Sequence, residues 1–190
     1  HYTGPGDDSS TTQFCVAGLA AARGYYLDLG DAASVAKAAD ITAALAKTAA
    51  EYHSEENADG GEGYNVRNSG SNCRYVSGYA QTSSGLWCEL LGGYDVNHAG
   101  VQEKLGWLRN MYNYQSIAGA PECWGERAYF YSLWSSSKAY TLIEDSGVFP
   151  AGLTTSDLGT LAAGGSRLAH RNPLTDTRPA PRGAGGAGYY

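Results

Sequence analysis

The sequence is poor in charged residues, and it lacks the short motifs that mark several common active sites. Charged residues make up 17% of the chain, against about a quarter in a typical globular domain. There is no Gly-x-Ser-x-Gly elbow, and no glycine-rich loop followed by Lys and Ser or Thr. These absences argue against an α/β-hydrolase and against a phosphate-binding loop. No two cysteines have Cys-x-x-Cys spacing, so a zinc ribbon, a thioredoxin-like site and a c-type haem are unsupported.

The chain also lacks a long apolar run and an excess of positive charge. No stretch approaches the roughly 20 apolar residues that a membrane-spanning helix needs, so we expect no transmembrane segment. The formal net charge of -6 at pH 7 argues against a nucleic-acid partner. The charge is uneven, because residues 166–190 hold four arginines and one aspartate, a net of +3 that leaves -9 on residues 1–165.

Hydrophobic residues form 43% of the 190 positions, enough to build a core in one domain. Their spacing is helical, and Ser or Asp residues precede several of the apolar stripes. We expect Asp31 to cap the second helix and Gly24 to end the first. The predicted helices span about residues 9–23, 31–53, 75–91, 97–112 and 125–144, with a weaker sixth over 156–168.

The odd-numbered predicted helices resemble one another around Leu19, Leu86 and Leu133, which indicates stacked helical hairpins. We therefore predict an all-α repeat domain over residues 1–170. Residues 171–190 are rich in Pro and Gly and carry arginines, so they are predicted to be an extended basic tail. The chain begins at His1 without Met, which we interpret as a processed end or a fragment.

Four segments resemble the repeats of the prenyltransferase and squalene-cyclase family. They are GDDSSTTQF at 6–14, DGGEGY at 59–64, TSSGLW at 82–87 and YFYSLW at 129–134. The second segment departs from the family pattern, because Glu62 stands where the repeat signature usually has Trp. The resemblance implies an α/α toroid, and about three hairpins would give an incomplete one.

The catalytic residues that the resemblance would imply are missing. The Asp-x-Asp-Asp acid motif of the cyclases is absent, and Asp7-Asp8, the nearest approach, is interpreted as a helix cap. The protein prenyltransferases of the family bind zinc through Asp, Cys and His. Here Cys15, Cys88, Cys123, His53 and His98 show no ligand spacing, and His53 is interpreted as a surface or helix-end residue. We predict no catalytic residue, no cofactor and no metal site.

The four cysteines and the low lysine content favour an extracellular or cell-surface protein. If the inner helices of a toroid are parallel neighbours, Cys73 and Cys123 precede two adjacent inner-helix starts, so we predict a disulfide between them. Cys15 and Cys88 are predicted to be buried thiols. The aromatic residues of the later helices either line a cavity or pack between hairpins, and packing is the favoured interpretation. They are Trp87, Trp107, Trp124, Trp134 and the run 129–131.

Three hypotheses for function follow. The favoured one is a non-catalytic secreted or surface structural protein that self-assembles, as a ring or filament, through open repeat ends and its tail. The candidate contact residues are Phe14 and Val16 in the first helix, and Arg178, Arg182, Tyr189 and Tyr190 in the tail. The alternatives are a fragment or subunit of an isoprenoid cyclase or prenyltransferase, and an aromatic-lined module that binds lipid or carbohydrate. The sequence does not identify a small-molecule ligand.

Overall fold

A computed structural model describes residues 8–64, 76–111 and 129–145 of the chain. These residues form five helices and no strand, which confirms the all-α fold for this part of the protein. The helices are α1 (Ser9–Leu29), α2 (Ala32–Ser54), α3 (Tyr79–Leu91), α4 (Ala99–Met111) and α5 (Tyr129–Asp145). The predicted sixth helix and the tail over 171–190 lie outside the described residues. The incomplete toroid stays a prediction.

The first two helices begin at side-chain caps that are predictable from the sequence. Asp8 accepts hydrogen bonds from the backbone N–H groups of Ser10 and Thr11, and Asp31 accepts from those of Ala33 and Ser34. Each aspartate satisfies donors that an α-helix leaves unpaired in its first turn. The interpretation of Asp8 as a cap is therefore confirmed, whereas Asp7 lies outside the described residues.

The predicted end of the first helix at Gly24 is wrong, because α1 continues to Leu29. A glycine inside a helix costs only about 1 kcal/mol relative to alanine, so Gly24 alone does not stop the helix. The actual stop is Gly30, whose φ of 71° lies in the left-handed region that favours glycine.

Helix α3 lies at the centre and packs against each of the other four helices. Every residue from Tyr79 to Glu89 is buried, although many of them are small or polar. The serine hydroxyls are satisfied within the helices: Ser83 Oγ donates to the Tyr79 carbonyl at 2.7 Å and lies 2.8 Å from Ser136 Oγ on α5. Small hydroxyl side chains therefore let α3 and α5 pack closely without leaving buried polar atoms unpaired.

Two predictions about α1 are corrected by its burial pattern. Val16 is only 2% exposed and packs with Leu45, Tyr52 and Cys88, so it offers no surface to another molecule. The predicted open end of the repeat array does not include Val16, because α2 and α3 cover that face of α1. Cys15 is exposed rather than buried, whereas Cys88 is buried as predicted. In the part of the chain that is described, no helix has the length and hydropathy to cross a membrane.

Candidate buried charge cluster

A lysine lies on the apolar stripe of α4. Val101, Lys104, Leu105 and Leu108 follow the i, i+3, i+4, i+7 spacing of one helix face, and each is at most 2% exposed. The Lys104 side chain has no exposed surface at all. A lysine is almost never fully buried unless it is paired, so its partners must explain its position.

Three glutamates surround Lys104. Its Nζ donates hydrogen bonds to Glu56 Oε2 at 2.7 Å and to Glu89 Oε1 at 2.9 Å, and it lies 3.1 Å from Glu62 Oε1. Glu89 belongs to the last turns of α3, and Glu56 follows the end of α2. Glu62 lies in the segment that joins α2 to α3, and its backbone N–H donates to Thr82 Oγ1 at 2.9 Å. The cluster therefore links α2, α3 and α4 at one point.

Gly85 of α3 makes room for this arrangement. An ideal Cβ on Gly85 would lie 2.9 Å from Glu62 Cγ and 3.0 Å from Lys104 Cε. A side chain at this position would displace one of the two charged groups. The glycine thus allows Glu62 and Lys104 to meet against the surface of α3.

The cluster is buried and has more acid than base, and both features shift its proton equilibria. Burial raises the pKa of Glu62 to about 8, because desolvation outweighs the attraction of Lys104. Burial also raises the pKa of Glu89 and of Glu56. Burial would lower the pKa of Lys104, but the charges of Glu62 and Glu89 outweigh it and raise that pKa. Three carboxylates and one ammonium would carry a net charge of -2 if all were ionised, so the fold favours retaining protons there.

At one side of the cluster, near the first turn of α4, Glu56 and Glu89 lie close to His53. His53, Glu56 and Glu89 each offer one ligand atom, and these atoms all lie within 4.8 Å of one another. His53 Nδ1 and Glu89 Oε2 are buried atoms with no hydrogen-bond partner among the described residues. An ideal Cβ on Gly100 would lie 2.5 Å from His53 Nδ1 and 2.9 Å from Glu89 Oε1, so only glycine leaves both groups in place.

Other rings hold His53 in position. Its ring centroid lies 5.1 Å from that of His98 and 6.2 Å from that of Tyr94, both edge to face. Tyr94 stacks on His98 at 3.6 Å. His98 Nδ1 accepts a hydrogen bond from the Gly100 backbone at 3.2 Å, which fixes that ring as well.

An open cleft of about 550 Å³ leads from solvent to His53 and Glu56. On its far wall Asp59 accepts hydrogen bonds from Trp107 Nε1 at 3.1 Å and from Ser77 Oγ at 2.5 Å. Asn57 Nδ2 also donates to Ser77 Oγ, at 2.9 Å. These contacts order the wall, so the cleft has a defined polar lining beside the histidine.

Most of the residues predicted from sequence to be functional lie outside the described residues. This applies to Cys73, Cys123, Arg178, Arg182, Tyr189 and Tyr190. Of the aromatic residues, Trp87 and Trp107 are buried, whereas Trp134 is 38% exposed and contacts both Phe14 and Trp87. Trp124 lies outside the described residues.

The sequence reasoning missed the cluster, although two signals were present. Lys104 interrupts an apolar stripe, and Glu89 is the one charged residue of α3. Glu62, the departure from the family repeat, is 3% exposed and meets Lys104. The interpretation of His53 as a surface residue overlooked its Nδ1 atom, which is buried beside Glu89.

Comparison with protein-family models, with curated proteins and with solved structures found no match to this chain. The resemblance to the prenyltransferase and squalene-cyclase repeats therefore stays a hypothesis.

Proposed function

We propose that this chain is a non-catalytic structural protein that self-associates, and that α1 supplies the first contact surface. The observation that carries the proposal is a continuous apolar stripe on the exposed side of α1. Phe14 is 56% exposed, Tyr25 61% and Leu29 51%, and Gly18 and Ala21 between them are exposed as well. We call these five residues the α1 stripe.

The α1 stripe has the geometry of a helix-packing surface. At about 100° per residue, its members fall within about 80° around the helix axis. An ideal Cβ on Gly18 meets nothing within 4 Å among the described residues, so a second helix could approach closely there. A sequence that places apolar residues at this spacing on both sides of one helix normally buries both sides.

A second copy of the chain is the proposed occupant of the α1 stripe. Each hairpin of a repeat array buries its apolar face on a neighbour, and α1 is the first hairpin helix of the described part. The basic tail, with Arg178 and Arg182, would be attracted to the acidic body of another copy, and Tyr189 and Tyr190 could anchor it. Head-to-tail contact gives a ring if the rotation closes and a filament if it does not.

Light scattering coupled to size exclusion tests the proposal on the full chain over a range of concentrations. We expect an oligomer, and we expect Leu29→Glu to weaken association by about tenfold or more, because it places a charge in an apolar contact. Leu27→Glu is the matched control. Leu27 is 54% exposed on the same helix end but points about 160° away from Leu29.

A monomer at every concentration would overturn the proposal, and so would equal effects of the two glutamate substitutions. Removal of residues 171–190 tests the tail separately. We expect it to weaken association while leaving the circular dichroism of the helices unchanged.

A further inference from the structure

We propose that His53, Glu56 and Glu89 form a binding site for a divalent transition-metal ion of the Zn²⁺ type. The site would tie the end of α2 to α3, and it would do so independently of the self-association proposed above. It uses one imidazole nitrogen and two carboxylates, and these ligand atoms already lie within 4.8 Å of one another. Zn²⁺ accepts both ligand types at about 2.0–2.2 Å, so three such atoms can share one ion with small side-chain movements.

Two buried atoms without partners point to a ligand at this place. Glu89 has no exposed surface, yet its Oε2 has no hydrogen-bond partner among the described residues. His53 Nδ1 also has no hydrogen-bond partner among the described residues, and the carboxylate oxygen Oε2 of Glu56 is 3.7 Å away from it. Buried polar atoms are nearly always satisfied, so two unsatisfied atoms on residues of one ligand set are well explained by a cation that both bind.

The charge of the neighbourhood favours a cation. Glu56 and Glu89 face one ammonium, that of Lys104, and Glu103 lies against Glu56, so negative charge is in excess even when Glu62 holds its proton. Lys104 contacts Oε1 of Glu89, which leaves Oε2 for the ion. The lysine therefore holds Glu89 in orientation without occupying this oxygen, as groups behind a metal ligand commonly do. On Glu56 the lysine donates to Oε2, the oxygen that lies 3.7 Å from His53 Nδ1, so Glu56 would share that oxygen with the ion or offer Oε1.

Solvent can reach the site. His53 and Glu56 line the open cleft described above, and the His53 side chain is 37% exposed. An ion could therefore enter without unfolding, and three protein ligands would leave a further coordination position facing the cleft for water. The imidazole favours Zn²⁺ or Co²⁺ over Mg²⁺ and Ca²⁺, which prefer sites made only of oxygen ligands.

The test uses the purified full chain after treatment with a chelator. Isothermal titration with Zn²⁺ is expected to give one site, and Co²⁺ is expected to give a visible absorption band that Zn²⁺ abolishes. Saturating Zn²⁺ should also raise the midpoint of thermal unfolding, since an ion that binds the folded state stabilises it. Mg²⁺ and Ca²⁺ at the same concentration should produce neither effect.

Three substitutions locate the site. His53→Gln should weaken Zn²⁺ binding by at least about tenfold. Gly100→Ala should do the same without removing a ligand, because its Cβ would occupy the space 2.5 Å from His53 Nδ1 and force that ring away. Gly24→Ala is the matched control for the glycine substitution and should change affinity by less than about threefold, because a Cβ on Gly24 meets nothing within 4 Å and Gly24 does not belong to the ligand set.

Binding at one site that both His53→Gln and Gly100→Ala weaken would support the proposal. The absence of single-site binding, or binding that His53→Gln leaves unchanged, would overturn it. Circular dichroism of each variant checks the fold. If Gly100→Ala unfolds the chain, His53→Gln still tests the proposal. His53 is partly exposed and lies near the end of α2, so we expect its replacement to leave the fold intact.

Discussion

Replacement of Lys104 by Met tests whether the buried charge cluster organises the junction of α2, α3 and α4. Methionine keeps an unbranched side chain in the same space but removes the ammonium group that lies within 3.1 Å of three carboxylates. Removal of one partner from a buried ion pair typically destabilises a protein by about 3–5 kcal/mol, because the other charge stays buried. We therefore expect Lys104→Met to lower the free energy of unfolding by about 3–5 kcal/mol at pH 7.5.

The cost should depend on pH, because the remaining carboxyls can take up protons. Keeping one carboxyl protonated above its ordinary pKa costs about 1.4 kcal/mol for each pH unit. At pH 5 this cost nearly disappears, so we expect Lys104→Met to destabilise by about 1–2 kcal/mol there. Adding Glu62→Gln should recover part of the loss at pH 7.5, since it removes one of the stranded acids.

Urea unfolding followed by tryptophan fluorescence provides the measurement, because Trp107 is 4% exposed and its Nε1 donates to Asp59 on the wall of the cleft. Lys138→Met on α5 is the matched control, since Lys138 is exposed, and it should change stability by less than about 0.5 kcal/mol. A loss below about 1 kcal/mol at pH 7.5, or the same loss at both pH values, would refute the argument.

Two further predictions follow from the same packing. The pKa of Glu62 is raised from 4.5 to about 8, so between these pH values the folded chain holds a proton that the unfolded chain releases. The stability that this proton contributes is fully present below pH 4.5 and is lost as the pH rises through about 8. The loss of stability has an upper limit of about 5 kcal/mol, and urea midpoints at pH 5 and pH 8 should reveal it. Glu62→Gln should flatten this pH dependence of stability, and a pH dependence unchanged by Glu62→Gln would contradict the assignment. Gly92→Ala should destabilise by about 1–3 kcal/mol, because its Cβ would fall 2.8 Å from the Leu45 carbonyl oxygen of α2. Gly24→Ala has open space within 4 Å and should stabilise α1 by about 0.5–1 kcal/mol, so equal thermal shifts for the two alanines would count against this packing.

Local features of the sequence predict the helices well, because they depend on neighbours in the chain. Asp8 and Asp31 cap their helices through backbone groups two and three residues away, and both could be identified without a structure. The prediction that α1 ends at Gly24 was wrong, because a glycine alone does not fix the backbone conformation that ends a helix. Gly24 lies inside the continuous helix α1, whereas Gly30 adopts the left-handed conformation that ends it.

The charge cluster could not be assembled from the sequence because its members are distant in the chain and share no motif. Glu56 and Lys104 are 48 positions apart and meet only after α2 and α4 have packed on α3. Burial of Val16 and exposure of Cys15 were missed for the same reason, since the partner helices decide which side of α1 faces inward. Helix periodicity gives a face, but it does not say what covers that face.

The complete burial of α3 has a consequence for how the sequence can vary. In most helices half of the positions face solvent and accept almost any residue, but from Tyr79 to Glu89 no position does. Thr82, Ser83 and Ser84 have 0% exposure, the same as Leu86. A scan of all substitutions along the chain should therefore show a continuous block of intolerance over this helix, in which small hydroxyl residues are as restricted as leucine.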